Sequence, residues 1–348
     1  MLIFFFSMNI AIFDVGFTLS LDNRVRLSDN DGNQIDVVVR INGSVIYETK
    51  VYAVNGIGYF YDLGNLVHEY MRDNLLSNAT LKVSANYESH TDSIEVFVIY
   101  STMRTSYEVD LDFLTSHFLT SRSFYTIPRG KDLMLSYFTH NSEQNVSGLL
   151  NVTFQLSNGE IVSRIVTESI SSNKETKMNY VYINSKSIET KLHNLYPKDY
   201  PRVLGGTIVE GARSLDFFFT DEQPVEVFSF LNAFNVWEYY YVYGTQTVKT
   251  EFKQGEGVVS GTAQFYNQST EQKVQVETVP LSMEEALWMN EFLGSKRIIK
   301  VIPPDNDREI LLSDITSEIS DSDKQLVSIK FSWKYADHYT WKIFEENT

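Results

Sequence analysis

The sequence predicts a mostly β protein of two to three β-sandwich-like domains, with single helices packed on strands at about 62–73 and 282–293. Three observations carry that expectation. In Val327-Ser-Ile-Lys-Phe-Ser-Trp-Lys-Tyr335 every odd position is apolar or aromatic and every even one is Ser or Lys, the period-two pattern of a strand with one dry and one wet face. The chain carries 23 Phe and 21 Tyr but only 7 Pro among its 348 residues, a mix that favours strands over helices. Strand-length runs are also punctuated by Asn42-Gly43 and Asn158-Gly159, dipeptides suited to hairpin turns.

In chain order, Met1-Leu-Ile-Phe-Phe-Phe-Ser-Met8-Asn-Ile-Ala-Ile-Phe13 is apolar but has no preceding Lys or Arg. It reads as a first strand, with Met8 as an alternative start to Met1 and a secretory signal as the lesser reading. Residues 1–110 form an N-terminal β domain with one helix. Its strands include Ile35–Ile41, Leu81–Tyr87 and Ser93–Tyr100, while Leu63, Leu66, Val67 and Tyr70 fall at helical spacing behind Asp62, a candidate N-cap. Residues 111–222 form a middle β domain. Phe113 onward reads as a strand entering the turn at Pro128-Arg-Gly130, and Gly205-Gly206 as irregular backbone. Residues 223–348 form a C-terminal β domain with one capped helix: Ser282 and Glu285 make a capping-box pair, and Gly294 is read as a left-handed stop.

Composition narrows function. The net charge of −16 argues against a nucleic-acid binder and against attraction to anionic membranes; no segment reads as inserting into a membrane. With no cysteine, disulfides and thiolate chemistry are excluded. Phosphate-loop and His-Glu-x-x-His patterns are absent, and the six histidines are scattered. Three acidic loops (Asp29/Asp31/Asn33, Asp305/Asp307/Glu309 and Asp321/Asp323) lack the spacing of a twelve-residue calcium loop and read as solvated turns. No catalytic residue, metal site or cofactor is expected. Trp237, Tyr239, Tyr241 and Tyr243 alternate along one strand. They form one face in a core or a subunit contact, or else a stacking platform for a glycan.

Several stretches carry a resemblance: Tyr61-Asp-Leu-Gly-Asn-Leu-Val-His-Glu-Tyr-Met71, Phe113-Leu-Thr-Ser116, Leu231-Asn-Ala-Phe-Asn-Val236, Val276-Glu-Thr-Val-Pro-Leu-Ser-Met-Glu-Glu-Ala-Leu-Trp288, Glu318-Ile-Ser-Asp-Ser-Asp323 and Ile329-Lys-Phe-Ser-Trp-Lys-Tyr-Ala-Asp337. Over most of its length the chain resembles uncharacterised virion proteins encoded in the tail modules of phages and prophages of gut Bacteroidetes. Asn235-Val-Trp237 departs from the Asn-Val-Pro of that pattern. The resemblance implies a non-enzymatic tail, baseplate or tail-tip component, assembled in the bacterial host cytoplasm. Its partners would be other copies of itself and neighbouring tail proteins, with a host-surface glycan as the alternative. It brings no active-site residues to transfer.

Overall fold

The computed structural model describes residues 15–21, 24–28, 33–88, 90–103, 110–140, 148–167, 176–259, 261–303, 306–316 and 326–337. The N-terminal run to Phe13, the 29–31 part of the first acidic loop, Asp305 and the Asp321/Asp323 loop lie outside them. The chain is mostly β, with several sheets and four α-helices among the described residues.

The first region contains β1 (Val15–Phe17), β2 (Arg24–Ser28), β3 (Gln34–Ile41), β4 (Ser44–Tyr52), β5 (Ile57–Tyr61), α1 (Leu63–Asp73), β6 (Asn78–Asn86) and β7 (Thr91–Ile99). Its main sheet runs β1-β7-β6-β3-β4, with β1 parallel to β7 and the other pairs antiparallel; β2 and β5 pair separately. β3 buries every second residue, from Ile35 to Ile41. It turns into β4 through Asn42 (φ 50°) and Gly43 (φ 83°), the two positive angles that match a tight hairpin to strand twist. Leu63, Val67 and Met71 of α1 enter the same core. Asp62 is not the expected cap: it is itself left-handed at φ 64° and its side chain makes no capping hydrogen bond.

The middle region holds α2 (Asp110–Ser116), β8 (Phe124–Pro128), β9 (Asp132–Thr139), β10 (Gly148–Gln155), β11 (Ile161–Thr167), β12 (Lys177–Asn184), α3 (Ser185–Leu195), β13 (Arg202–Glu210) and β14 (Arg213–Thr220). A sheet ordered β11-β10-β13-β14-β8 and a β12-β9 pair share one core with Ile188 and Leu192 of α3. Two expectations are corrected here. The Phe113 stretch is helix α2, held by its surroundings: Asp110 accepts from the Phe17 N–H at 2.8 Å, and the Leu114 carbonyl accepts from Arg213 at 2.7 Å. Gly205 and Gly206 lie inside β13, where a Cβ would collide with the Phe217 carbonyl and the Asn151 carbonyl of the neighbouring strands. Helix α3 was not expected; Asn184 caps it by accepting from Lys186 and Ser187 N–H at 2.8 and 3.2 Å.

The third region comprises β15 (Glu226–Leu231), β16 (Trp237–Val242), β17 (Gly244–Val259), β18 (Thr262–Thr278), α4 (Met283–Gly294), β19 (Ile298–Lys300), β20 (Arg308–Thr316) and β21 (Lys330–Tyr335). They form a seven-stranded sheet ordered β16-β15-β19-β20-β21-β18-β17. The alternating run buries Val327, Ile329, Phe331 and Trp333, although regular strand begins only at Lys330. Phe292 of α4 packs on Phe228, Phe230, Tyr240 and Phe331 at ring separations of 4.8–5.5 Å. The Ser282–Glu285 capping box is present. Gly294, however, is the last helical residue and not a left-handed stop. The chain leaves extended at Ser295, whose hydroxyl lies 2.8 Å from the Leu231 carbonyl and 3.0 Å from that of Arg297.

Candidate functional site

Strand β16 divides its side chains between two structures. Glu238, Tyr240 and Val242 point into the third region, whereas Trp237, Tyr239, Tyr241 and Tyr243 are half-buried on the opposite face. These four do not make one free platform. Tyr241 packs against the middle core and donates its hydroxyl to the Asp132 carbonyl, and burial drives its pKa far up. Tyr243 is pushed up to about 12, by burial first and Glu222 second. Tyr239 stacks on Tyr241 with centroids 6.2 Å apart, and Arg297 lies over the Trp237 ring at 5.8 Å. The pKa of Tyr239 is raised by burial and then by Asp132, Tyr182 and Asp307. On β12, Tyr180 and Tyr182 are 48% and 59% exposed.

The other face holds a residue that the sequence reading passed over. Glu238 is 2% exposed. Its carboxylate accepts from Trp288 Nε1 at 2.8 Å, from Asn232 Nδ2 at 2.9 Å and from the Tyr125 hydroxyl, with the Thr120 hydroxyl at 3.4 Å. Burial raises its pKa to about 7, against the lowering effect of the Tyr125 and Asn232 hydrogen bonds. Arg122 covers this cluster, 4.4 Å from the Trp288 ring, 4.7 Å from that of Tyr125 and 3.7 Å from Glu285. Thr120, Arg122 and Tyr125 come from the middle region and the remainder from the third, so the cluster seals the seam between them. The available signal was that Glu238 is the sole formally charged side chain between Glu226 and Lys249.

Next to it, the turn 232–236 joins all three regions. The Asn232 side-chain oxygen accepts from Phe234 N–H at 2.9 Å, which fixes the turn, and its amide donates to the Leu119 carbonyl at 2.8 Å. Ala233 accepts from Thr102 N–H at 2.9 Å and donates to Glu291 at 3.0 Å, and Asn235 Nδ2 donates to the Leu76 carbonyl at 3.3 Å. Phe234 and Val236 thereby join Val15, Phe17, Leu114 and Phe138 in a fourth buried cluster. An ion pair and a hydrogen bond follow the same seams: Lys296 reaches Asp73 at 2.8 Å, and the Ser123 hydroxyl donates to Glu284 at 2.5 Å.

Among the described residues no group of three His, Cys, Asp or Glu could hold a metal ion, and no helix is long and apolar enough to cross a membrane. No protein-family model matches the chain, and no curated protein matches it. Among solved structures it aligns with the extracellular region of plexin A4, domains 1 to 8, at 8% identity and a TM-score of 0.21, covering 94% of this chain and 36% of that one. The ten-domain form of the same region gives 7% identity, the same TM-score, and coverage of 94% and 31%. The chain therefore spans about a third of the length of these structures, and the overlap is too slight to transfer fold or function.

Proposed function

We propose that the chain is a structural component of a phage tail, baseplate or tail tip, acting by protein–protein assembly in the virion and not by catalysis. Its partners are further copies of itself and neighbouring tail proteins, and it is assembled in the bacterial host cytoplasm. The observation that best supports this reading is the junction at 232–236. It ties three cores into one body through the cluster of Phe17, Leu114, Phe138 and Phe234, as a part that transmits load between neighbours requires. The strongly perturbed carboxylate, Glu238, is occupied by internal donors and so serves the same joint.

The test is whether the protein is present in gradient-purified tailed particles from the bacteria that carry its gene, by mass spectrometry and by immunogold labelling. Labelling at the tail supports the reading, and absence from intact particles defeats it. A second reading, host-surface glycan binding, is favoured by the exposed Tyr180 and Tyr182 on β12. It requires that Tyr182→Ala abolish retention on host polysaccharide.

A further inference from the structure

The hairpin of β17 and β18 is built unlike the rest of the sheet. Its strands are 16 and 17 residues long, and they pair with each other from Gly244–Thr278 out to Val259–Thr262. β21 supports β18 only at Val274–Glu277. Beyond that the hairpin has no third strand among the described residues, a form that is marginal in water by itself. β17 is also the end strand of the sheet, and among the described residues its one strand partner is β18. Val248 lies opposite Val274 and so continues the face that buries Val274 and Val276, yet Val248 and Phe252 are 50% and 64% exposed. The edge carries no proline, and its ladder is regular until the irregularity between Lys253 and Gly255. None of the usual protections of an edge strand, apart from its lysines, is present over 247–253.

We infer that this edge binds a second copy of itself, β17 to β17, antiparallel about a two-fold axis at Thr250. This deepens the assembly reading by naming the partner, and it rests on the self-complementarity of the sequence. With the axis at Thr250, Lys249 faces Glu251 of the second copy, and Val248 faces its Phe252. Each pair occurs twice, as an isologous contact demands. Neighbouring registers are worse. An axis at Glu251 sets Lys249 against Lys253 and Glu251 against itself. An axis at Phe252 sets Val248 against Glu256 and crosses the irregularity. In a chain of net charge −16, contact between copies is opposed by like charge. Residues 257–270 carry no charged side chain. The paired edge alone is smaller than a standard interface of roughly 1,600 Å², so a weak dimer is expected.

The test uses the full chain and light scattering at rising concentration. Wild-type protein should dimerise. Lys249→Glu should weaken the dimer about tenfold by placing like charges opposite one another, and the double variant Lys249→Glu/Glu251→Lys should restore it. Ile165→Lys, on the edge strand β11, should change nothing. In this cysteine-free chain, Thr250→Cys should be cross-linked to a dimer by diamide, since the residue faces its own copy at the axis. Thr247→Cys, three residues from the axis, should not. A monomer at every concentration, a charge swap as weak as the single change, or equal cross-linking at 247 and 250 overturns the inference. None of these touches the particle test: protein found in tails but monomeric in solution leaves the assembly reading standing and ends this one.

Discussion

Two phenylalanines in one region of the chain, Phe234 in the junction turn and Phe252 on the hairpin edge, sit in opposite worlds. The Phe234 ring centroid lies 6.0 Å from that of Phe17 and 6.1 Å from that of Phe113; the Ala233 backbone is hydrogen-bonded to Thr102 and Glu291, and the Asn235 side chain to the Leu76 carbonyl. Phe252 is 64% exposed on a strand with a free edge. The difference lies in where each segment's partners are. Those of the turn come from all three regions of the same chain, whereas the strand partner of β17 around Phe252 is β18 and, on the inference above, another copy. Stability and association are thus assigned to different residues and separate in measurement.

The largest effect expected is that of Phe234→Ala. Emptying a fully buried aromatic site costs about 3–5 kcal/mol, and the cavity opens where three regions meet, so the urea midpoint should fall sharply. A change confined to one region's transition would show that the junction does not couple them. Next comes the seam carboxylate. Glu238 titrates near 4.5 when unfolded and at about 7 in the native seam. Its contribution is therefore fully present below pH 4.5, is lost as pH rises to about 7, and is level above that. The change is roughly 3 kcal/mol. Glu238→Gln should remove this slope while lowering absolute stability, because the new amide meets the Asn232 amide donor. Urea midpoints of both proteins at pH 5 and pH 8 check it. Parallel pH profiles would place the titration elsewhere.

What the sequence revealed of this division followed from local physics. The capping box of Ser282 and Glu285 depends on residues within one element and is realised; the alternation from Val327 buries Val327, Ile329, Phe331 and Trp333 but breaks at the buried Ser332 and the half-buried Tyr335. Helix α2 was read as a strand because its helical state is supported from outside, by Arg213 on the Leu114 carbonyl and Asp110 on Phe17. Glu238 stands out in the sequence only as a lone charge in an apolar run, and its partners are hidden for the same reason: Thr120, Tyr125 and Trp288 reach it across sequence separations of 118, 113 and 50 residues. The length of the hairpin is not legible in the sequence, because Asn267-Gln-Ser-Thr-Glu-Gln-Lys273 shows no apolar alternation. Of the expected aromatic set, Trp237, Tyr239 and Tyr241 alternate with buried residues along β16 and Tyr243 follows its last residue, while the loss of Tyr241 to Asp132 required the fold.

Two smaller effects sharpen the comparison. Ser282→Ala removes the hydroxyl that accepts from Glu285 N–H at 3.3 Å at the start of α4, and should cost about 1 kcal/mol. This tests whether the third region's helix is fixed locally as well as by the seam. Phe252→Ser should change the stability of the monomer by no more than about 0.5 kcal/mol, because a side chain already largely in water has little burial to lose. It should nevertheless abolish the concentration-dependent mass of the wild type, because Val248 of the second copy would then face a hydroxyl. If Phe252→Ser instead destabilised the chain as Phe234→Ala does, the hairpin would be part of the folded body and the assignment of the two phenylalanines to separate tasks would fail. Unchanged stability with unchanged association would leave the hairpin structurally independent but remove Phe252 from the contact between copies.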